Sequence, residues 1–247
     1  MRDNYNINSF FEFLGYYPSN YTPTCPGMRS LSIYVKGVRS ELQKLLEPTP
    51  FLLADDRFVI SIADFSNHSH FSYYDAAILL PVSINGVQGS TYYFEYEDNH
   101  ETVASGREKW GYPKKFAHIS LQEQADSVRG EVSLGGESIF SVDFTFDDGL
   151  SNAAWEDYQV YPHLQVRAIS EVSGPSFTQF DVIARDTSKD YELISRRFGS
   201  AAVQLGEQIG LDGQALTVAE VLGGEFSIGN FSATLENGQA RIITSLI

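Results

Sequence analysis

Apolar and polar residues alternate in short runs along much of this chain, and the period is closer to two than to 3.6. One segment has clear helical spacing. Over residues 37–47, Val38, Leu42, Leu45 and Leu46 fall at i, i+4, i+7 and i+8, and Pro48 stops the helix. Hairpin signals then dominate. Residues 76–82 form a continuous apolar run, Asn85-Gly86 marks a turn, and residues 90–97 supply the partner strand. Gly135-Gly136 separates residues 130–134 from 138–146, where Phe140, Val142, Phe144 and Phe146 alternate. Residues 164–172 and 177–184 read as strands, residues 195–208 have partial helical spacing, and residues 215–222 read as a short helix. Asn237-Gly238 between residues 231–235 and 240–246 predicts a terminal hairpin. Hairpins outnumber βαβ units. The expected fold class is therefore mainly β, a single-domain antiparallel β-barrel or cone over residues 1–247 with a few short helices.

Composition narrows the function. The 247 residues are 43% hydrophobic, enough for a sizeable core, and no linker or repeat divides them. Asp and Glu total 32 against 17 Lys and Arg, a formal net charge of -15. Such a surface argues against nucleic acid and anionic membranes as partners. Cys25 is the one cysteine, which rules out an intrachain disulfide and fits a cytoplasmic location. The opening MRDNYNINSFFEFLGYY lacks the continuous apolar stretch of a signal peptide.

The most informative segment is Gly106-Arg107-Glu108-Lys109-Trp110-Gly111-Tyr112-Pro113-Lys114-Lys115. It resembles the active-site segment of the acetoacetate decarboxylase family, in which Gly-Arg-Glu precedes an aromatic-Pro-Lys-Lys. Pro81-Val82-Ser83, Asn85-Gly86-Val87 and Asp98-Asn99 extend the resemblance upstream. It implies a lysine that forms an imine with a carbonyl substrate, with Lys114 as that lysine, and an oxo acid as the small-molecule partner. No cofactor is implied, because the protonated imine is itself the electron sink. A homo-oligomer is compatible with the resemblance.

Only an unprotonated amine attacks a carbonyl, and an ordinary lysine has a pKa near ~10.4. Burial lowers a lysine pKa by up to ~3–5 units. A second cation beside the lysine is the other route, and acetoacetate decarboxylase is a standard case of it. Lys115, as that second cation, is a catalytic candidate beside Lys114; on a strand the two point to opposite faces, so burial is expected to outweigh its charge. By the same alternation, Lys114 shares a face with Phe116 and His118, which makes His118 a candidate in the site together with Tyr112. Lys114-Lys115 without its flanking residues would read as a solvated basic turn.

The resemblance implies two acids upstream. Asp75 stands at the first position, one methylene shorter than the family's glutamate, and is the candidate proton carrier. The second position falls near Ile60, where no acid stands; Asp64 is the nearest alternative. The family's active-site arginine has its counterpart in Arg29, which could bind a carboxylate or hold an acid. Glu95 alternates with Tyr93 and Glu97, opposite Phe94 and Tyr96, and is expected to face solvent. Arg107 and Glu108 fit either the site or a structural ion pair beneath it.

His68-x-His70 has strand spacing for zinc but lacks a third ligand at known spacing, so no metal is expected. No phosphate loop, dinucleotide fingerprint or nucleophile elbow is present. The departure in the acids opens aldol or dehydration chemistry on 2-oxo acids as an alternative to decarboxylation of a 3-oxo acid. A binding barrel with no chemistry is the remaining alternative.

Overall fold

The computed structural model describes residues 21–206 and 216–247. Asn85 and Gly86 both take positive φ, 49° and 78°, which is the type I′ geometry that turns one strand directly onto the next. That turn joins β4 (Tyr73–Ile84) to β5 (Val87–Glu97). Gly135 and Gly136, at φ 62° and 89°, likewise join β8 (Ser127–Leu134) to β9 (Glu137–Phe146). Between them come α2 (His100–Trp110), β6 (Lys114–Phe116) and β7 (His118–Glu123). Before them run β1 (Thr24–Gly37), α1 (Arg39–Leu46), β2 (Leu52–Leu53) and β3 (Arg57–Phe65). After them follow β10 (His163–Ser170), β11 (Phe177–Arg185), β12 (Glu192–Leu205), β13 (Val218–Ser232) and β14 (Arg241–Ser245).

All the strands belong to one sheet, in the order β14-β11-β10-β5-β4-β3-β1-β13-β12-β9-β8-β7. β2 pairs beside β4, and β6 beside β5. Pairing is antiparallel except for β10 with β5 and β6 with β5. The sheet is not closed into a barrel: β14 and β7 are its two ends. It curls so that Leu31, Ile60, Ile78 and Phe94 pack with Leu121, Val132 and Phe144 in one core. A second apolar cluster lies on the other face, where Trp155 stacks on Tyr34 among Val59, Ala77 and Leu79. The middle of β4 is thus covered on both sides, which explains why residues 76–82 read as a continuous apolar run.

The mainly β class, the first two hairpins, α1 and the β10–β11 pair match the sequence expectations. Three others do not. Residues 195–205 lie in β12 rather than a helix, paired with both β9 and β13. Pairing on both sides overrides a weak helical period, and Gly199 has room for no side chain against Phe144 and the Thr145 carbonyl. Residues 218–222, expected as part of a short helix, open β13; residue 215 of that expectation and residues 207–208 of the preceding one lie outside the described part. The terminal hairpin does not form. β13 ends at Ser232, and Asp190 accepts bonds from Thr234 N and Asn237 Nδ2 at 2.9 and 2.8 Å. The chain then crosses to the free side of β11 as β14. Residues 1–17, on which the leader reading rests, are also outside the described part. Among the described residues no helix is long and apolar enough to cross a membrane.

Candidate active site

The sheet face away from the main core forms the floor of a cavity of about 510 Å3. α2 and residues 158–163 contribute to its walls. Strand alternation sets which side chains enter. Across the sheet, Ser32, Ser61, Ala77, Glu95 and Lys114 are neighbours in one row, from β1, β3, β4, β5 and β6. Asp75 and Glu97 are partners in the next row. Lys114 Nζ therefore meets three carboxylates. It contacts Glu97 Oε1 directly, lies 3.1 Å from Glu95 Oε1, and lies 3.9 Å from Asp75 Oδ2. The side chains are 11%, 0%, 4% and 13% exposed for Lys114, Glu97, Glu95 and Asp75.

Alternation groups Glu95 with Glu97 opposite Phe94 and Tyr96, as observed, but it also places Tyr93 with them, whereas Tyr93 packs against the main core, and it assigns the shared face to solvent. Phe94 and Tyr96 are in the main core, and the other face of β5 looks into the cavity. A register shift lies between the Ile78–Phe94 and Leu79–Tyr92 pairs. That bulge brings Tyr92 onto the same face as Glu95, a device common beside active sites. Alternation reports which residues share a face; it does not report that a second layer covers the face.

Electrostatics in this cluster run against the expected lowering of the lysine pKa. Burial pulls the Lys114 ammonium down, but Glu95, Glu97 and Asp75 together outweigh it and hold Lys114 well above its ordinary value. The acids carry the reciprocal cost. Burial raises Asp75 to about 6 despite Lys114, and raises Glu95 well above the carboxylate range. The three acids present oxygens within 4.8 Å of one another, a spacing that would suit a cation. Here the Lys114 ammonium stands against them.

The lysine is positioned from behind by α2. Asn99 caps that helix, its side chain accepting from Glu101 N and Thr102 N, and Gly111 ends it at φ 72°. These are ordinary cap signals, but the segment between them carries no apolar stripe to mark a helix, in keeping with its burying only Thr102 and Gly106. Gly106 lies against the Lys114 side chain: a Cβ there would stand 2.5 Å from Lys114 Cδ and 3.2 Å from Nζ. Arg107 Nη1 donates to the Lys114 carbonyl at 3.0 Å, which places Arg107 in support of β6.

Of the residues singled out from sequence, Lys114, Asp75 and Tyr112 line the cavity. Tyr112 is buried, with Lys114 Nζ 5.6 Å from its ring centre. Lys115 is exposed and lies over the Phe94 ring, on the other face from Lys114 as alternation required. His118 is also exposed; it begins a new strand after Ala117, so it does not continue the face of Lys114. Arg29 stands apart from the cavity lining and is paired with Asp64, with Glu123 at 3.7 Å. His68 does line the cavity, but its Nδ1 accepts from the backbone of His70 and Phe71, and burial lowers its pKa to about 4. His163 and Arg185, neither singled out before, complete the wall beside Tyr112.

The family model described as acetoacetate decarboxylase matches residues 15–240. An acetoacetate decarboxylase from Ralstonia nicotianae is 27% identical over 134 residues, 54% of this chain and 54% of that protein. Acetoacetate decarboxylase 1 from Mesorhizobium japonicum is 31% identical over 100 residues, 39% of this chain and 40% of that protein. The chain thus spans about half the length, or less, of these curated relatives. Among solved structures, one of acetoacetate decarboxylase superposes with a TM-score of 0.78 at 20% identity, covering 93% of each chain. The enduracididine biosynthesis enzyme MppR, complexed with the condensation product of pyruvate and imidazole 4-carboxaldehyde, gives 0.68 at 16% identity, covering 90% of this chain and 89% of that one.

Proposed function

The chain belongs to the acetoacetate decarboxylase family, and from that premise we propose that it is an imine-forming lyase acting on an oxo acid through Lys114. The observation that carries this reading is a single buried amine held at the end of the cavity against three carboxyl groups. The resting lysine is an ammonium, so attack requires a proton transfer inside the cluster. Glu97, in contact with Nζ, takes that proton. The freed amine adds to the substrate carbonyl carbon to give a carbinolamine. Asp75, which titrates at about 6, donates a proton to the departing oxygen as water leaves and the iminium forms. The iminium then accepts the electrons of a neighbouring bond.

Which bond breaks separates two reactions. Family membership favours decarboxylation of a 3-oxo acid such as acetoacetate. The acid cluster serves either route. After CO2 leaves, a carboxyl group returns a proton to the enamine carbon before the ketone is released; in the other route a carboxylate beside the iminium removes a proton from the adjacent carbon, and the resulting enamine attacks an aldehyde or expels water. Decarboxylation of a 3-oxo acid is accordingly the first reading, with aldol or dehydration chemistry on a 2-oxo acid as the second.

Borohydride trapping with matched 2-oxo and 3-oxo acids tests the proposal. A stable secondary amine should appear on Lys114 and vanish in Lys114→Ala. Product analysis then assigns the reaction, with CO2 release from acetoacetate favouring decarboxylation and aldehyde-dependent consumption of pyruvate favouring the aldol route. No labelling by any acid, with the cavity still binding apolar ligands, would leave a binding protein.

A further inference from the structure

The cavity has a second charged end. Arg185, the last residue of β11, pairs in register with His163 of β10, and both line the cavity. The bonds that hold Arg185 come from neutral groups. Its Nε donates to the Gly238 carbonyl at 2.7 Å, its guanidinium lies 5.1 Å from the Trp110 ring centre, and it stands against the Tyr112 hydroxyl. Among the described residues no carboxylate lies within ion-pair distance of it. Arg29 differs on this point, being committed to Asp64.

An arginine on a cavity wall with no counter-ion is an unsatisfied charge, and such charges are costly unless something pairs with them. Its field is felt nearby: Lys109, on the same wall, is lowered first by burial and then by Arg185, and His163 is lowered to about 3 for the same two leading reasons. With His163 neutral, Arg185 and Lys109 are the cations of this wall, and of the two the guanidinium, with Nη atoms free of acids, is the planar fork that matches a carboxylate. Tyr112 connects the two ends, since it stands against Arg185 and its ring also faces Lys114 Nζ.

We propose that Arg185 binds the carboxylate of the oxo acid substrate and so orients its carbonyl toward Lys114. This rests on the imine reading above, and it assigns to Arg185 the carboxylate-binding role that was one of the two open for Arg29; Arg29 itself holds the acid Asp64. The anchor works by direct contact with the substrate and takes no part in proton transfer.

The test compares oxo acids of increasing chain length with neutral methyl ketones of the same shape, using borohydride trapping at Lys114 as the readout. In Arg185→Gln the half-saturating concentration for the preferred acid should rise about 10- to 100-fold, the scale of a lost charge-assisted bidentate pair. The neutral ketone should label Lys114 as in the wild type, and Arg185→Lys should recover part of the preference for acids. Equal loss for acid and ketone, with unchanged secondary structure, would make Arg185 a structural residue and overturn the proposal. So would unchanged acid labelling in Arg185→Gln. Calorimetric binding of the same acid to Lys114→Ala, with and without Arg185→Gln, separates the two ideas. If wild type never labels but acid binding still depends on Arg185, the imine reading fails and the anion site stands; if acid binding ignores Arg185, the anchor fails.

Discussion

Replacing Gly106 with alanine adds one methyl group where the Lys114 side chain already lies. The new Cβ would be 2.5 Å from Cδ and 3.2 Å from Nζ, whereas ordinary van der Waals contact begins near 3.4 Å. The helix backbone is fixed by its caps, so the lysine must give way by about 1 Å. Misplacing a reacting group by that much costs roughly 100-fold in rate. Stability should move little or rise, because alanine in a helix interior is favoured over glycine by about 1 kcal/mol and the displaced atoms end a flexible chain. The assay is the rate of borohydride trapping with a saturating oxo acid, read beside the melting temperature. A variant that melts normally and traps within twofold of the wild-type rate would refute the reasoning, since it would show that the lysine tolerates the shift. A variant that loses stability but traps at the wild-type rate would show instead that the helix moves and the lysine stays.

Further outcomes follow from the same geometry. Asp75→Asn should slow turnover by about 10²–10⁴-fold, the range for a general acid or base, while leaving trapping detectable. Because burial holds Asp75 at about 6 against 3.8 for an ordinary aspartate, the folded chain binds this proton more tightly than the unfolded chain. Its contribution to stability should therefore fall as pH rises between those two values and level off above, and a melting series across that window should be flatter in Asp75→Asn. Glu95→Leu removes one of the groups that raise Lys114, so the pH at which the amine becomes reactive toward an acylating reagent should drop. Arg29→Ala leaves the 4%-exposed Asp64 with the neutral donors of Ser66 and Tyr74 in place of a cation and should cost about 1–2 kcal/mol, allowing for the partial exposure of Arg29, without changing trapping. Lys115→Ala should change the trapping rate by less than about tenfold, because its ammonium stands on the opposite face of the strand.

The legible parts of this fold are those whose information is local. Asn85-Gly86 and Gly135-Gly136 fix two hairpins because only certain residues accept positive φ, and Leu42, Leu45 and Leu46 mark α1 because they share a face. β12 was misread because its pairing partners, β9 and β13, lie elsewhere in the sequence. β14 was misplaced for the same reason: its partner is β11, not the strand before it. In the site, Lys114, Asp75 and Tyr112 were reached through the resemblance, and the alternation correctly turned Lys115 away. Glu95 and Glu97 were missed because a period of two gives no sign of whether a face meets water or a covered cavity. Arg185 carried no local signal, and its place beside Tyr112 comes from strand order.

The two faces of β5 divide their duties between neighbouring residues. Phe94 and Tyr96 hold the strand in the core, while Glu95 and Glu97, one position away, touch the Lys114 amine. β6 is aligned to β5 by backbone pairing, Glu95 with Lys114 and Tyr96 with Lys115, so the lysine's place does not depend on which side chains fill the cavity row. Exchanging acids for apolar residues at 95 and 97 would thus alter the charge around the amine while the scaffold stays put. Such a layout lets the charge around a buried amine be retuned by drift at two positions without disturbing the strand pairing that holds it.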